Sequence, residues 1–183
     1  MSNTKTITPR VYVASLTDYN AGRLHGEWID ANQSVEAIVA EIAGMLAASP
    51  TAAAFPISGP AEEWAIHDYD GWGGLSLGEY TSLETVSTLG NLIVEHGEAF
   101  SVYADHVGLD YATADEFFEA YQGEHASETD YAFTLADDLG TFTEDARWPF
   151  TCIDWDHAWR ELSYDGYYAE RSANGGVHVF RSL

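Results

Sequence analysis

Between Arg23 and Arg147 the chain carries no lysine or arginine, a base-free run of 123 residues in a sequence of 183. Average composition would place roughly 15 basic residues in such a window. Only six of the 30 acids lie outside it: Asp18, Asp154, Asp156, Glu161, Asp165 and Glu170. The other 24 carboxylates have no cation in their own segment to pair with. Removing an unpaired carboxylate from water costs several kcal/mol, so most of these side chains must face solvent. A broad, uncompensated negative surface follows. The net charge of −23 argues against nucleic acid or an anionic membrane as a partner.

Apolar residues make up 46% of the chain and aromatics 14%, which supplies a packed core despite the charge. Cys152 is the single cysteine, so neither an intrachain disulfide framework nor a cysteine-based zinc site is possible, and a reduced compartment fits. The first nine residues are short and polar, without the apolar core of a secretory signal, and read as a disordered tail. The most apolar stretch, residues 35–55, is interrupted by Glu36, Glu41 and Pro50, which argues against a membrane span. A soluble, cytoplasmic location is the expectation.

The pattern along the chain predicts an elongated α+β protein of three small subdomains. Residues 10–75 read as an antiparallel sheet plus a helix. Strands are expected at 11–16, 24–29 and 63–69, with turn residues at 18–22 and a surface connector at 49–60. Ser34 caps a helix whose apolar stripe is Val35, Ile38, Val39, Ile42 and Leu46. Residues 76–140 read as a helical, bundle-like middle. Thr81 and Glu84, then Thr113 and Glu116, have capping-box spacing; Gly97 closes the first of these helices, Gly108 ends a second at 98–107, and Ser127 with Asp130 opens a further one. Residues 141–183 read as an α+β unit, with a helix at 154–162 and a hairpin whose arms, 167–171 and 177–180, flank the turn 172–176.

Catalytic or metal-binding constellations are not apparent. His67 and Asp68, adjacent on a strand, point to opposite faces. Cys152, Asp154, Asp156 and His157 offer too few ligands on one side of a helix and read better as a solvated helix start. No phosphate-binding loop, nucleophile elbow or zinc-protease motif occurs. No catalytic residue, metal or cofactor is therefore assigned. One reading from another class stays open: a small acidic hydrolase or ligand-binding protein with an aromatic-lined carboxylate pocket.

The acids themselves are then the candidate functional residues. Salt adaptation explains their number but not a base-free window in a chain that keeps its arginines near the ends. A competitor of DNA needs carboxylates at roughly phosphate density with no cations among them. Duplex DNA carries one charge per ~1.7 Å of axis, so −23 corresponds to roughly 11–12 base pairs and a dimer to roughly 23. The acids that fit this role are Glu95, Glu98, Asp105, Asp110, Asp115, Glu116, Glu119, Glu124, Glu128, Asp130, Asp137 and Asp138.

Three segments carry a family resemblance. The run Val11-Tyr-Val-Ala-Ser-Leu-Thr-Asp-Tyr-Asn-Ala-Gly-Arg-Leu-His-Gly-Glu-Trp28 resembles the opening of ArdA-type antirestriction proteins. Glu63-Trp-Ala-Ile-His-Asp-Tyr69 with Glu79-Tyr-Thr-Ser82 is similar to that family's internal signature. The tail from Ile153-Asp-Trp155 through Gly176-Val-His-Val-Phe180 resembles its C-terminal pattern. The resemblance implies a homodimer, joined through the C-terminal unit, that mimics bent DNA. It implies that the dimer occupies the DNA-binding groove of the methyltransferase core of type I restriction-modification enzymes, blocking restriction and modification without catalysing a reaction. It also implies carriage on a mobile genetic element.

Overall fold

A computed structural model describes residues 8–140, 147–148 and 150–183, the side chain of Phe150 excepted. The expected tail therefore falls largely outside the described residues. The fold is α+β, with two small antiparallel sheets, and the chain divides into two compact units, Met1–Ala112 and Thr113–Leu183.

In the first unit β1 (Arg10–Ser15) is central, between β2 (Gly26–Asp30) and β3 (Trp64–Asp70). Alternation places Val11 and Val13 wholly inside the core. Val11 is opposite Ile29 on one side and Tyr69 on the other, and a register shift follows between Tyr12 and Val13 on the β3 side. Helix α1 (Leu16–Asn20) replaces the expected turn, because the Ser15 hydroxyl caps it by accepting from the Asp18 N–H at 3.3 Å.

Helix α2 (Val35–Ala47), capped by Ser34 as expected, buries Ile38, Ile42 and Met45. Val39 lies outside that face and is 48% exposed, so Met45 takes a core position the sequence stripe did not assign. The connector contains a further helix, α3 (Pro50–Ala54), capped by Ser49, and a 3₁₀ turn, Pro56–Ser58. Residues 35–54 have a length and hydropathy that would suit a membrane span. In this fold the stretch is broken between Ala47 and Pro50 and its first helix packs on the sheet.

Helix α4 (Leu83–His96) starts one residue later than expected. Ser82, not Thr81, is the cap, accepting from the Thr85 N–H at 3.1 Å, while Thr81 closes a local turn with Gly78. Gly97, at φ +67°, ends α4 and begins α5 (Glu98–Val107). Val86, Leu89, Ile93 and Phe100 complete the core, together with Trp72, whose indole N–H donates to the Arg10 carbonyl at 2.9 Å.

In the second unit β6 (Val177–Arg181) lies between β4 (Tyr121–His125) and β5 (Tyr167–Arg171). Helix α6 (Ala114–Ala120) runs directly into β4, and α7 (Glu128–Asp138) packs on both α8 (Trp155–Tyr164) and the sheet. Val179 and Phe180 are fully buried, and Phe180 stacks on Tyr168 with ring centroids 5.2 Å apart. Strand β4 was not expected. Tyr121-Gln-Gly-Glu-His125 lacks apolar alternation and is extended because β6 supplies its hydrogen-bonding partner.

Two helical glycines should respond oppositely to alanine. A Cβ at Gly90 would lie 2.6 Å from the Ala31 Cβ and 2.8 Å from its carbonyl oxygen, so α4 docks there only without a side chain. Gly90→Ala should cost about 1–3 kcal/mol by overpacking, outweighing the gain in helix propensity of about 1 kcal/mol. Outside its own helix backbone, Gly44 in α2 has nothing within 4 Å of that position, so Gly44→Ala should stabilise by about 0.5–1 kcal/mol. Urea unfolding at neutral pH reads both signs.

Candidate functional site

The twelve acids fall on both units. Glu95 is near the end of α4, Glu98 and Asp105 are on α5, and Asp110 lies in the turn after it. Asp115, Glu116 and Glu119 are on α6, Glu124 is on β4, and Glu128, Asp130, Asp137 and Asp138 are on α7. Eleven are exposed and Glu98 is half-buried. The first unit exposes a further set outside the twelve: Glu27, Asp30, Glu36, Glu41, Glu62, Glu63, Asp68, Asp70, Glu79 and Glu84. Arg10, from outside the base-free window, reaches Asp70 at 3.0 Å on the surface.

The positions of these charges on their helices are informative. Acids in a first turn, such as Asp115, Glu116, Glu128 and Asp130, complement the positive end of the helix dipole. Glu95, Asp105, Asp137 and Asp138 lie at the opposite ends, where the dipole disfavours an anion by a few tenths of a kcal/mol each. Asp115 and Glu119, four residues apart on α6, add like-charge repulsion of similar size. Folding stability alone would favour bases at these helix ends.

Three of the twelve also have local structural work. Glu116 forms a capping box with Thr113, whose hydroxyl donates to its carboxylate at 2.9 Å. The Asp130 carboxylate accepts from the Ala126 N–H at 3.3 Å and lies 3.9 Å from His125. Glu124 accepts from Ser172 and, at 3.3 Å, from Asn174, tying β4 to the β5–β6 turn. Those two hydrogen bonds hold its carboxyl below the usual range. The Glu124 bonds span 48 and 50 residues and leave no local sequence signature.

Among the described residues one carboxylate is buried: Asp18, fully inaccessible. Its Oδ2 accepts from Ser15 and Ser49, each at 2.7 Å, and its Oδ1 accepts from the Thr51 N–H at 2.9 Å, joining α1 to α3. Burial pushes its pKa up, but the donors of Thr51, Ser49 and Ser15 outweigh this and hold the carboxyl well below the usual carboxylate range. Asp18 is thus a clamp within the first unit that is ionised at neutral pH.

Catalytic geometry is sparse. No group of three or more His, Cys, Asp or Glu among the described residues could hold a metal ion. Asp154 caps α8, accepting from the His157 N–H at 3.0 Å, so it is the solvated helix start read from its spacing. His67 lies edge-on to Tyr19 and 3.9 Å from Glu79. A cleft of about 340 Å³ in the first unit is lined by Trp64 and Tyr80 and contains one carboxylate, Glu84. An acid/base hydrolase of the kind considered from the sequence needs two converging carboxylates.

The fold and its charge define a small acidic α+β protein with carboxylates spread over the surfaces of both units. The family model of the antirestriction protein ArdA matches residues 11–177, and the chain belongs to that family. No curated protein matches it.

Asp18 makes stability pH-dependent. Because folding lowers its proton affinity, its contribution is complete above the unfolded carboxyl pKa of about 3.9 and is lost as pH falls through the lower folded value. Asp18→Asn should cost about 2–3 kcal/mol at pH 7, leaving donors that met a carboxylate without an anion. Urea titrations over a pH series should show the gap between the variant and the wild-type chain closing in strong acid.

Proposed function

We propose that this chain is a DNA mimic that occupies the DNA-binding groove of the methyltransferase core of type I restriction-modification enzymes, inhibiting restriction and modification without catalysing a reaction. The observation that carries this reading is the 123-residue window without lysine or arginine, whose described carboxylates are nearly all at the surface. Acids at helix ends that disfavour them support it, since charge is kept there against local stability. Membership of an antirestriction family supports the class of target. Its site of action on this reading is the cytoplasm of a bacterium newly entered by a mobile element.

The active form on this reading is a homodimer joined through the second unit. A groove shaped for a long duplex needs more charged length than one chain supplies. Helix α8 favours that unit as the joint. No residue of α8 is fully buried, and its apolar side chains Trp155, Ala158, Trp159 and Leu162 each keep part of their surface exposed. Arg160, Arg171 and Arg181 lie in the same unit, where they offset acids brought together by pairing. Sedimentation at micromolar concentration should give roughly twice the 20.1 kDa chain mass. A strict monomer that still inhibits fully removes the dimer from the mechanism.

Competition tests the mimicry directly: the protein should displace duplex DNA from a type I methyltransferase core at near-stoichiometric ratios. Screened contacts between exposed charges are individually weak. Asp115→Asn or Glu119→Gln alone should therefore weaken inhibition by less than about fivefold. Neutralising six or more of the twelve acids should reduce it by orders of magnitude, and added salt should weaken binding in parallel. A single acid whose neutralisation abolishes inhibition in a folded protein would point to catalysis and end this reading.

A further inference from the structure

Two segments conspicuous in the sequence, Glu63–Tyr69 and Glu79–Ser82, are left without a part in a purely electrostatic mimic, yet the first unit joins them. The Ile66 N–H donates to the Glu79 carbonyl at 3.0 Å, and the Gly78–Thr81 turn sets Tyr80 beside the start of α4. With α2 they border the open cleft of about 340 Å³, lined by Val35, Val39, Trp64, Tyr80, Leu83 and Glu84. That volume is at the small end of ligand sites, suited to one long side chain rather than a peptide segment. Tyr80 is 73% exposed at its rim.

Charge decides what enters. The N-termini of α2 and α4 both reach the cleft and contribute about +0.5 elementary charge each. Glu36 and Glu84, in the first turns of those helices, carry a full negative charge each and outweigh them. Glu62, Glu63 and Glu79 flank the lining segments, and no lysine or arginine lies anywhere between residues 24 and 146. An anion is therefore repelled despite the two helix ends. Aromatic side chains beside a carboxylate favour an organic cation. Between the two basic side chains, the weakly hydrated planar guanidinium enters an apolar, aromatic cleft at lower desolvation cost than an ammonium.

We propose that this cleft receives the guanidinium of an arginine side chain presented by the protein on which the inhibitor docks. Glu84 supplies the counter-charge, Tyr80 and Trp64 the aromatic surface, and Val35, Val39 and Leu83 enclose the methylene stem. The identity of the presenting protein rests on the DNA-mimic reading; the chemistry of the cleft does not.

The test is titration of the full-length, isotope-labelled protein with N-acetyl-arginine methylamide, following the Trp64 indole N–H by NMR. The citrulline analogue, of equal length but uncharged, is the control. The arginine probe should shift Trp64 saturably, and citrulline should bind at least about tenfold more weakly. Tyr80→Ala and Glu84→Gln should each weaken the arginine probe by about fivefold, with the rest of the spectrum unchanged as the check on folding. Equal response to citrulline, or no Trp64 response in the folded protein, overturns the cleft. No restriction enzyme is present, so failed DNA competition and a failed titration are separate results. In the competition assay Tyr80→Ala should raise the dissociation rate about fivefold without changing its salt dependence. An unchanged rate in a variant that has lost arginine binding overturns the docking partner as the source of the side chain.

Discussion

The absence of internal counter-ions is the constraint to which the rest of this structure answers. With 30 acids and 7 bases, ion pairing cannot organise the fold, and the elements are held mainly by apolar packing and by hydrogen bonds that need no cation. Helix starts show the consequence. Ser15, Ser34, Ser49, Ser82, Thr113 and Ser127 each cap a helix with a hydroxyl, and among the described residues only α8 has a carboxylate cap, Asp154, while α5 begins at Gly97. Each hydroxyl cap contributes about 1 kcal/mol without adding charge. Aromatic packing does similar work in the second unit, where Tyr121, Tyr168 and Phe117 all lie against Phe180.

Asp18 shows the same constraint from the opposite side. A carboxylate can be buried without a cation only if donors surround it, and two short segments, at the starts of α1 and α3, are drawn together to supply three of them. Its charge is then set by hydroxyls and a backbone N–H rather than by a base. The other described carboxylates have no such cage and lie at or near the surface, which is the state their free energy of hydration demands. Negative charge at the C-terminal ends of α4, α5 and α7 then adds a local cost of a few tenths of a kcal/mol each.

Local features were legible in the sequence where the physics is local. The caps at Ser34, Thr113 and Ser127, the helix end at Gly97 and the β5–β6 hairpin depend on residues a few positions apart. Strand β4 was not legible, because Tyr121–His125 is extended only when β6 lies beside it. The shift of the α4 cap from Thr81 to Ser82 has a comparable cause: Thr81 already bonds Gly78. Exposure of the acids followed from charge balance alone, since no arrangement of the chain could pair them. The bonds of Glu124 to Ser172 and Asn174, and the convergence of Val35, Trp64, Tyr80 and Glu84 on one cleft, needed the tertiary fold.

Surface charge and cleft divide the work of recognition on the proposed reading. Exposed charges act over about a Debye length, near 8–10 Å at physiological salt, so a broad acidic surface accelerates encounter with any basic groove and discriminates little between registers. A concave site discriminates sharply but acts only at contact. Placing one side-chain-sized cleft among distributed carboxylates gives an inhibitor both properties. The surface tolerates loss of any one acid because its neighbours remain, whereas the cleft depends on the joint placement of a few residues from α2, β3 and the start of α4. Register in such a complex is then set by packing and affinity by summed charge, so the two respond to different substitutions and to salt in different degrees.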